Sequence, residues 1–480
     1  MGLDDRLRGA MHDEGDETGT RAEPDVLRRR AQRTVRRRRM SLVASVVVVA
    51  LATGVVIAQR RGGGASHLVA LGPGLVQAPA GAQLLVSSVG RAAPDPTNVK
   101  ALTTANSQFA FDLYHRLAAE SPGKNLVFSP ESISDALAMV YAGAHGTTAT
   151  EIGKALHFDA VPAGGLGAAF NALSQELLAP RKAQDKGRKP LELSTGNSAW
   201  GQRGFVFEQA YLDTLARYYG TGLRLSDFVR DAERERLRIN AYVAQQTDHR
   251  ITNLLPPGII DNMTRLVLVN TITFTADWRM PFLKQHTHTV AFTRIDGSHV
   301  NVPMMEQDES QEFDGYKGDQ FVAARLPYEG GASMIVIVPD AGAFSTVEQK
   351  LDPTLVQQVT SGLTPGADVW LPKFDFRAHL DLRTTLGALG VREAFDPQRA
   401  DFSGMSPSGL YVSDIVHEAT IKVDEKGTKA AAATAAIMET TSGRIEQFIV
   451  HANRPFVYLI RDDATGAILF QGRVLDPTQH

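Results

Sequence analysis

The residues best equipped for chemistry fall in two neighbouring stretches near the C-terminus. In "HEATI", His417 and Glu418 supply the first half of a zinc-metalloprotease helix, which needs a second His four residues on to put two imidazoles on one face. Ile421 stands at that position, so the reading fails. His286 and His288 in "QHTH" would share one side of a strand, but two exposed hairpin histidines account for them without a metal. The thirteen His are otherwise scattered without ligand spacing. No G-x-S-x-G elbow, phosphate-binding loop or dinucleotide fingerprint follows a strand pattern. No catalytic set, metal or cofactor is expected. What remains is "VDEKGTKAAAATAAIMETTSG", Val423 to Gly443, a strand-like run that meets Gly427 and passes into alanines, Ala430 to Ala436, broken by Thr434. Taken alone, those alanines favour a helix or a flexible linker, because Ala has the highest helix propensity.

The chain that must position this segment has 480 residues, 43% of them hydrophobic, enough for one large domain or two to three ordinary ones. It contains no Cys, which excludes disulfides, thiolate metal sites and Cys nucleophiles. A formal net charge of −3 provides no basic field, so nucleic acid is not an expected partner.

That average hides an N-terminal asymmetry. Residues 1–39 carry eleven Arg against eight acids, and eight of the Arg lie between Arg28 and Arg39. Directly after them come nineteen uncharged residues, Met40 to Ala58. As a helix this span would measure about 28 Å, close to the roughly 30 Å hydrocarbon core of a bilayer. The positive-inside rule predicts an Arg-rich cytoplasmic tail over 1–39, a transmembrane signal anchor over 40–58, and everything after Ala58 outside the cell. The alternative is a cleaved signal and a secreted protein, although "VIAQRRGGGA" is a poor cleavage site. Residues 59–103, rich in Gly, Ala and Pro, read as a linker in which a short strand fits near Gln83 to Val89.

From residue 104 to 480 the texture is that of a single folded domain. "SPESISDALAMVYAGA" starts a helix after a Ser-Pro cap signal, and "FEQAYLDTLARYYG" and "RERLRINAYVAQQT" also carry helical spacing. "LELSTGNSAW", "RLVLVNTITFTADW", "MIVIVP", "DVWLPKFDF" and "FVYLIRD" read as strands. Strands and helices mix without a βαβ rhythm, which is an α+β pattern. "RKAQDKGRKP", Arg181 to Pro190, reads as a solvated basic connector, with polyanion binding as the sharper alternative.

In uninterrupted order the chain carries "NLVFSPESI", "GTTATEI", "NSAW", "INAYVAQQT", "LVLVNTITFTADW", "LPYEGGASMIVIVP", "LPKFDF", "ADFSGM", "VHEATIKVDEKGTKAAAATA" and "NRPFVYLI". With these blocks it resembles the serpin family, the serine-protease-inhibitor fold. With the N-terminal segment included, the expectation is a membrane-anchored, prokaryotic-type member. The resemblance implies a five-stranded sheet A, two further sheets, eight to nine helices and an exposed reactive-centre loop. It also implies an inhibitor rather than an enzyme. On that resemblance a protease is expected to cleave the loop, whose first half then inserts into sheet A and traps the acyl-enzyme.

The alanines then have a physical explanation. Alternate residues of an inserted strand face the core, and turning Lys429 inward would bury an unpaired ammonium. The inward set is therefore Thr428, Ala430, Ala432, Thr434 and Ala436, all small and uncharged. The expected hinge comprises Glu425, Gly427, Thr428, Ala430, Ala431, Ala432, Ala433 and Thr434. By the same resemblance, Lys373 pairs with Glu425 near Trp278 where insertion starts. Ser129, Ser132, Asn270 and His417 match a polar cluster that controls opening of the central strands. Loop length counted from Glu425 places the scissile bond between Thr441 and Ser442, which suits an extracellular elastase-like or subtilisin-like serine protease. Arg444, with Ile445 after it, would instead suit a trypsin-like enzyme. A monomer is expected. The competing function is that of a non-inhibitory serpin that binds a ligand or assists folding.

Overall fold

The computed structural model describes residues 70–72, 75–77, 83–195, 197–307, 313–428 and 448–479. Three short strands come first, β1 (Ala70–Gly72), β2 (Leu75–Gln77) and β3 (Gln83–Leu85). They are followed by α1 (Val99–Glu120), β4 (Leu126–Phe128), α2 (Pro130–Tyr141), α3 (Gly146–Ala155) and α4 (Leu166–Leu177). Next come β5 (Glu192–Thr195), β6 (Ser198–Gln202), α5 (Gln209–Thr214), β7 (Leu223–Ser226), α6 (Phe228–Gln246) and β8 (Leu266–Asp277). The chain continues with β9 (Thr287–Thr293), β10 (His299–Glu306), β11 (Phe313–Gly318), β12 (Phe321–Pro327) and β13 (Ala332–Pro339). After α7 (Phe344–Gln349) and α8 (Pro353–Gly362) it forms β14 (Thr364–Pro372), β15 (Phe374–Asp381) and α9 (Leu382–Ala388). It closes with β16 (Ile415–Asp424), β17 (Gly427–Thr428), β18 (Phe448–His451), β19 (Phe456–Asp462) and β20 (Ile468–Val474).

Two sheets organise these elements. The first runs β1-β2-β3-β7-β6-β8-β17-β16-β15, with β5 also paired to β8. It is wider than the five strands expected. Its five central lines are β7, β6 continued by β5, β8, β16 and β15; β1 to β3 and the two-residue β17 are additions. The second runs β4-β20-β19-β13-β12-β11-β14-β10-β9, with β18 beside β14. Two separate sheets were expected in its place. They are joined because β14 pairs with β11 at one end and with β10 at the other.

Strand β8 is the axis of the first sheet. Eleven of its twelve residues are buried, so its run of Val, Leu, Ile, Thr and Phe is covered on both faces. Beneath it lies α2, which starts where the sequence places it: Ser129 is the N-cap, its hydroxyl accepts from the Ser132 N–H, and Pro130 follows at the first helical position. Among the described residues no helix is long and apolar enough to cross a membrane; Met40 to Ala58 lie outside them.

Part of the stretch read as linker is packed onto the domain. β3 pairs antiparallel with β7, Leu84 opposite Arg224 and Leu85 opposite Leu223, and so covers what would otherwise be a sheet edge. Beyond it, Ser87 Oγ donates to Asp213 Oδ1 at 2.5 Å and the Ala92 N–H donates to the Arg217 carbonyl at 2.8 Å. The Arg91 guanidinium reaches Asn171 Oδ1 at 2.9 Å and Ser174 Oγ at 3.0 Å. Residues 83–93 thus form a strap over β7 and α4. Gly222 admits it, for a Cβ there would lie 2.6 Å from the Leu85 carbonyl oxygen and 2.7 Å from Val86. Gly222→Ala should therefore displace β3 at a cost of about 1–3 kcal/mol. The expected result is a lower melting temperature together with lost hydrogen-exchange protection at Leu84 and Leu85; unchanged protection would show that the strap is held elsewhere.

Candidate functional site

The first sheet is half open along one seam. β8 and β16 pair directly from Leu268–Ile415 to Ile272–Ala419. Higher up they diverge, and β17 stands between them: Thr428 pairs with Ala276 and Val423, Gly427 with Asp277 and Asp424. The start of the expected hinge is therefore already a wedge in the sheet. Gly427 is needed for the close approach, since a Cβ on it would fall 2.2 Å from the Ala276 carbonyl oxygen at a φ of 154°. Thr428 is buried and its hydroxyl shares a 2.8 Å hydrogen bond with the Tyr328 hydroxyl.

Around the wedge lies a compact polar and aromatic lock. Lys373 Nζ donates to both Glu425 oxygens at 3.1 and 3.0 Å, and Thr287 Oγ1 donates to Glu425 Oε1 at 3.0 Å. Burial pushes the Glu425 carboxyl up, but its own backbone N–H, Lys373 and Thr287 more than offset this and hold it below the usual range. Trp278 joins both strands: its backbone N–H donates to the Lys426 carbonyl at 2.6 Å and its indole N–H to the Asp424 carbonyl at 2.9 Å. Its ring stacks on Tyr328 with centroids 4.2 Å apart.

Below the wedge the seam is bridged by side chains. Asn270 on β8 and His417 on β16 are register partners, both fully buried, and His417 belongs to a strand rather than to a metalloprotease helix. The Ser129 N–H donates to His417 Nε2 at 3.1 Å, so Nε2 carries no proton and Nδ1–H donates to Asn270 Oδ1 at 2.5 Å. Burial, helped by His379, pushes His417 down to about 3. Asn270 Nδ2 donates to the Ser132 carbonyl, to Ser132 Oγ at 2.7 Å and to Asn197 Oδ1 at 2.9 Å. Ser129, Ser132, Asn270 and His417 are thus one network.

Sequence reasoning missed three of its neighbours. Asn197 joins the network to α2 by donating to Asp135 Oδ2 at 2.8 Å, and only its place at a Gly-Asn break in a strand pattern could have marked it. Tyr328 caps the wedge from a β12–β13 turn. The third is Arg188, in the connector expected to be solvated. Lys182, Lys186 and Lys189 are exposed, but Arg188 Nη1 donates to the Trp278 carbonyl at 3.1 Å and to the Arg279 carbonyl. Arg181 pairs with the buried Asp462 at 2.7 Å, and the Gln184 N–H donates to the buried Glu329 at 2.6 Å. Buried acids from distant parts of the chain thus hold Arg181 and the loop backbone in place, while the lysines stay exposed. Ala430, Ala431, Ala432, Ala433, Thr434, Thr441, Ser442, Arg444 and Ile445 lie outside the described residues.

The neutral His417 has a consequence for stability. Below pH 6.5 the unfolded chain takes up a proton that the folded protein excludes until about pH 3, so stability falls progressively as pH drops through that window. At pH 5 the loss should be about 2 kcal/mol. His417→Gln can still accept from Ser129 and donate to Asn270, and denaturant titrations from pH 7 to 4.5 should show a shallower slope for it. Equal slopes would remove His417 as their source.

Comparison with known proteins agrees with this geometry. The chain is 36% identical over 387 residues to leukocyte elastase inhibitor A of Rattus norvegicus, covering 78% of this chain and 99% of that protein. It is 34% identical over 395 residues to serpin B3 of Homo sapiens, covering 79% and 100%. Among solved structures it matches thyroxine-binding globulin complexed with thyroxine, with a TM-score of 0.69 and 31% identity over 78% of this chain and 99% of that one. Uncleaved ovalbumin matches with a TM-score of 0.68 and 26% identity over 78% and 100%. These relatives are vertebrate proteins and lend no support to the expected membrane-anchored, prokaryotic-type member. A family model, "Serpin (serine protease inhibitor)", matches residues 104–477. With that match and nearly full-length relatives at 34–36% identity, the chain belongs to the serpin family.

Proposed function

We propose that this protein is a suicide-substrate inhibitor of serine proteases that works by inserting its cleaved loop into the seam between β8 and β16. The observation that carries the reading is the wedge: Gly427 and Thr428 already pair with both seam strands. A strand continuing that register would set Ala430 between Phe274 and Ile421, Ala432 between Ile272 and Ala419, and Thr434 between Asn270 and His417. Side chains of this size fit a gap that opens by one strand width, and the Thr434 hydroxyl can bond the two groups whose own hydrogen bond has been broken. A non-inhibitory member would gain nothing from a hinge so free of bulk and charge. The leukocyte elastase inhibitors among the relatives favour an elastase-like target, and loop length counted from Glu425 sets the proposed cut between Thr441 and Ser442.

Thr428→Arg tests the mechanism. It would force a guanidinium into the apolar space beside Tyr328, so the wedge must leave the seam and insertion must lag behind deacylation. Wild type mixed with an elastase-like protease should give a complex that survives boiling in detergent and release a peptide beginning at Ser442. The variant should be hydrolysed as a substrate, with circular dichroism confirming its fold. Release of a peptide beginning at Ile445 would make Arg444 the bait residue and trypsin-like enzymes the targets. Trapping by Thr428→Arg as efficient as by wild type would sink the proposal.

We further propose that residues 40–58 anchor the protein in a membrane with the serpin domain outside the cell, on the strength of the arginine tract abutting an uncharged span. Protease added to intact cells should then remove the domain and spare the N-terminal tail. Recovery of the protein in the medium, starting between Ala58 and Ser66, would establish a cleaved signal instead.

A further inference from the structure

Behind the first sheet, between α2, α4, β5 and β8, lies a cavity of about 40 Å³. That is space for about three waters, or for an ammonium group on a short alkyl chain. Leu193, Ile272 and Leu469 form apolar walls, while Glu131, Asp135 and Asn197 present polar groups to it. The two acids stand one helical turn apart on α2, on the side turned toward the sheet.

Glu131 is an unusual residue to find there. It is only 8% exposed, and among the described residues no cation pairs with it. Its Oε2 accepts from Asn106 Nδ2 at 2.7 Å, and Asn106 is held in turn by Ser134 at 2.7 Å. Its Oε1 has no donor among the described residues although it belongs to a residue lining the cavity. Burial, then the neighbouring Asp135 carboxyl, pushes Glu131 up to about 8. Among the described residues Asp135 is likewise bonded at one oxygen only, to Asn197, and burial raises it to about 6 against the pull of Asn197 and Arg91. Arg91 is occupied at the cavity mouth by Asn171 and Ser174. A buried acid that lacks a cation and a free oxygen that lacks a donor are the two things a bound cation supplies. Three adjoining His, Asp or Glu side chains that could hold a metal are absent among the described residues, and the apolar walls suit an organic body.

We infer that this cavity is a binding site for a small amphiphilic primary amine, whose ammonium meets Glu131 and Asp135 and whose alkyl part rests on Leu193, Ile272 and Leu469. Occupancy acts on the seam. Asp135 holds Asn197, which accepts from Asn270, which accepts from His417, so a ligand that fixes Asp135 steadies the closed arrangement. It also fills space next to β8, the strand that insertion displaces. The effect on insertion rests on the inhibitor reading above; the binding does not.

The probe is n-butylamine, with n-butanol and butyrate as uncharged and oppositely charged controls, added to the full chain at about pH 8.5, where both acids are largely ionised. Calorimetry should show saturable binding of butylamine alone, weakened about tenfold or more in Glu131→Gln/Asp135→Asn. Leu193→Trp, which leaves the acids in place and fills the cavity, should abolish binding as well and guards against a fold defect in the double variant. Butylamine should also slow uptake of a synthetic Thr428–Thr441 peptide into the wild-type sheet. Absence of saturable binding, or equal binding by all three proteins, overturns the site and leaves the inhibitor reading intact. Binding with an unchanged rate of peptide uptake overturns the coupling.

Discussion

The hydrogen bond between His417 and Asn270 crosses the line along which the first sheet must separate if anything is to enter it. The bond to Ser129 on the other ring nitrogen needs a neutral imidazole, since a proton on Nε2 would face the Ser129 N–H, and burial keeps the ring neutral. Ser129 is at the same time the N-cap of α2, so the helix start, the tautomer and the seam are one arrangement. Ser132 and Asn197 bond Asn270 in turn, and this pairing is what allows so many polar atoms beneath a sheet. A single unpaired member would cost more than the network contributes.

The two ends of the seam are held by different means. Toward β17 the strands are already apart, and backbone pairing with Gly427 and Thr428, the Trp278 bonds and the Lys373–Glu425 pair hold them at that distance. Below, the pairing of β8 with β16, the His417–Asn270 bridge and the start of α2 beneath them close it. On the far side of β8, the connector carrying Arg188 grips the Trp278 and Arg279 carbonyls, and the 83–93 strap pins β7. One half of the sheet is thereby braced from outside while its centre stays divisible.

Much of this was legible in the chain itself. The α+β texture follows from alternating apolar strands without βαβ spacing, and the inward parity of Thr428 follows from refusing to bury Lys429; the structure puts the Thr428 hydroxyl on Tyr328. Other features could not be read. Asn197 and Asp135 are ordinary polar residues in sequence, and only the packing of α2 under β8 brings them into the network. Arg188 sits in a charge run typical of a solvated loop, and besides Asp185 of that loop it meets the buried Glu329 and the Trp278 carbonyl, both remote in the chain. The strap is short, flanked by Gly and Pro, and gains its strand character from its pairing with β2 and β7. The width of the first sheet and the fusion of the other two come from pairings between distant segments, which local periodicity does not encode.

The direction of the strands at the seam carries a thermodynamic bias. β8 and β16 run parallel where they touch, with slanted bonds on which pairing is slightly weaker per residue. β17 runs antiparallel to both. Each further residue that follows it into the seam would exchange one parallel ladder for two antiparallel ladders, with more and straighter bonds at every step. On the proposed mechanism the uncleaved sheet is in this sense an unfinished one. The strand that would finish it is tied at both ends, to β16 and to β18. Cutting that chain would supply no energy of its own; it would remove the restraint on a bonding pattern that antiparallel pairing favours.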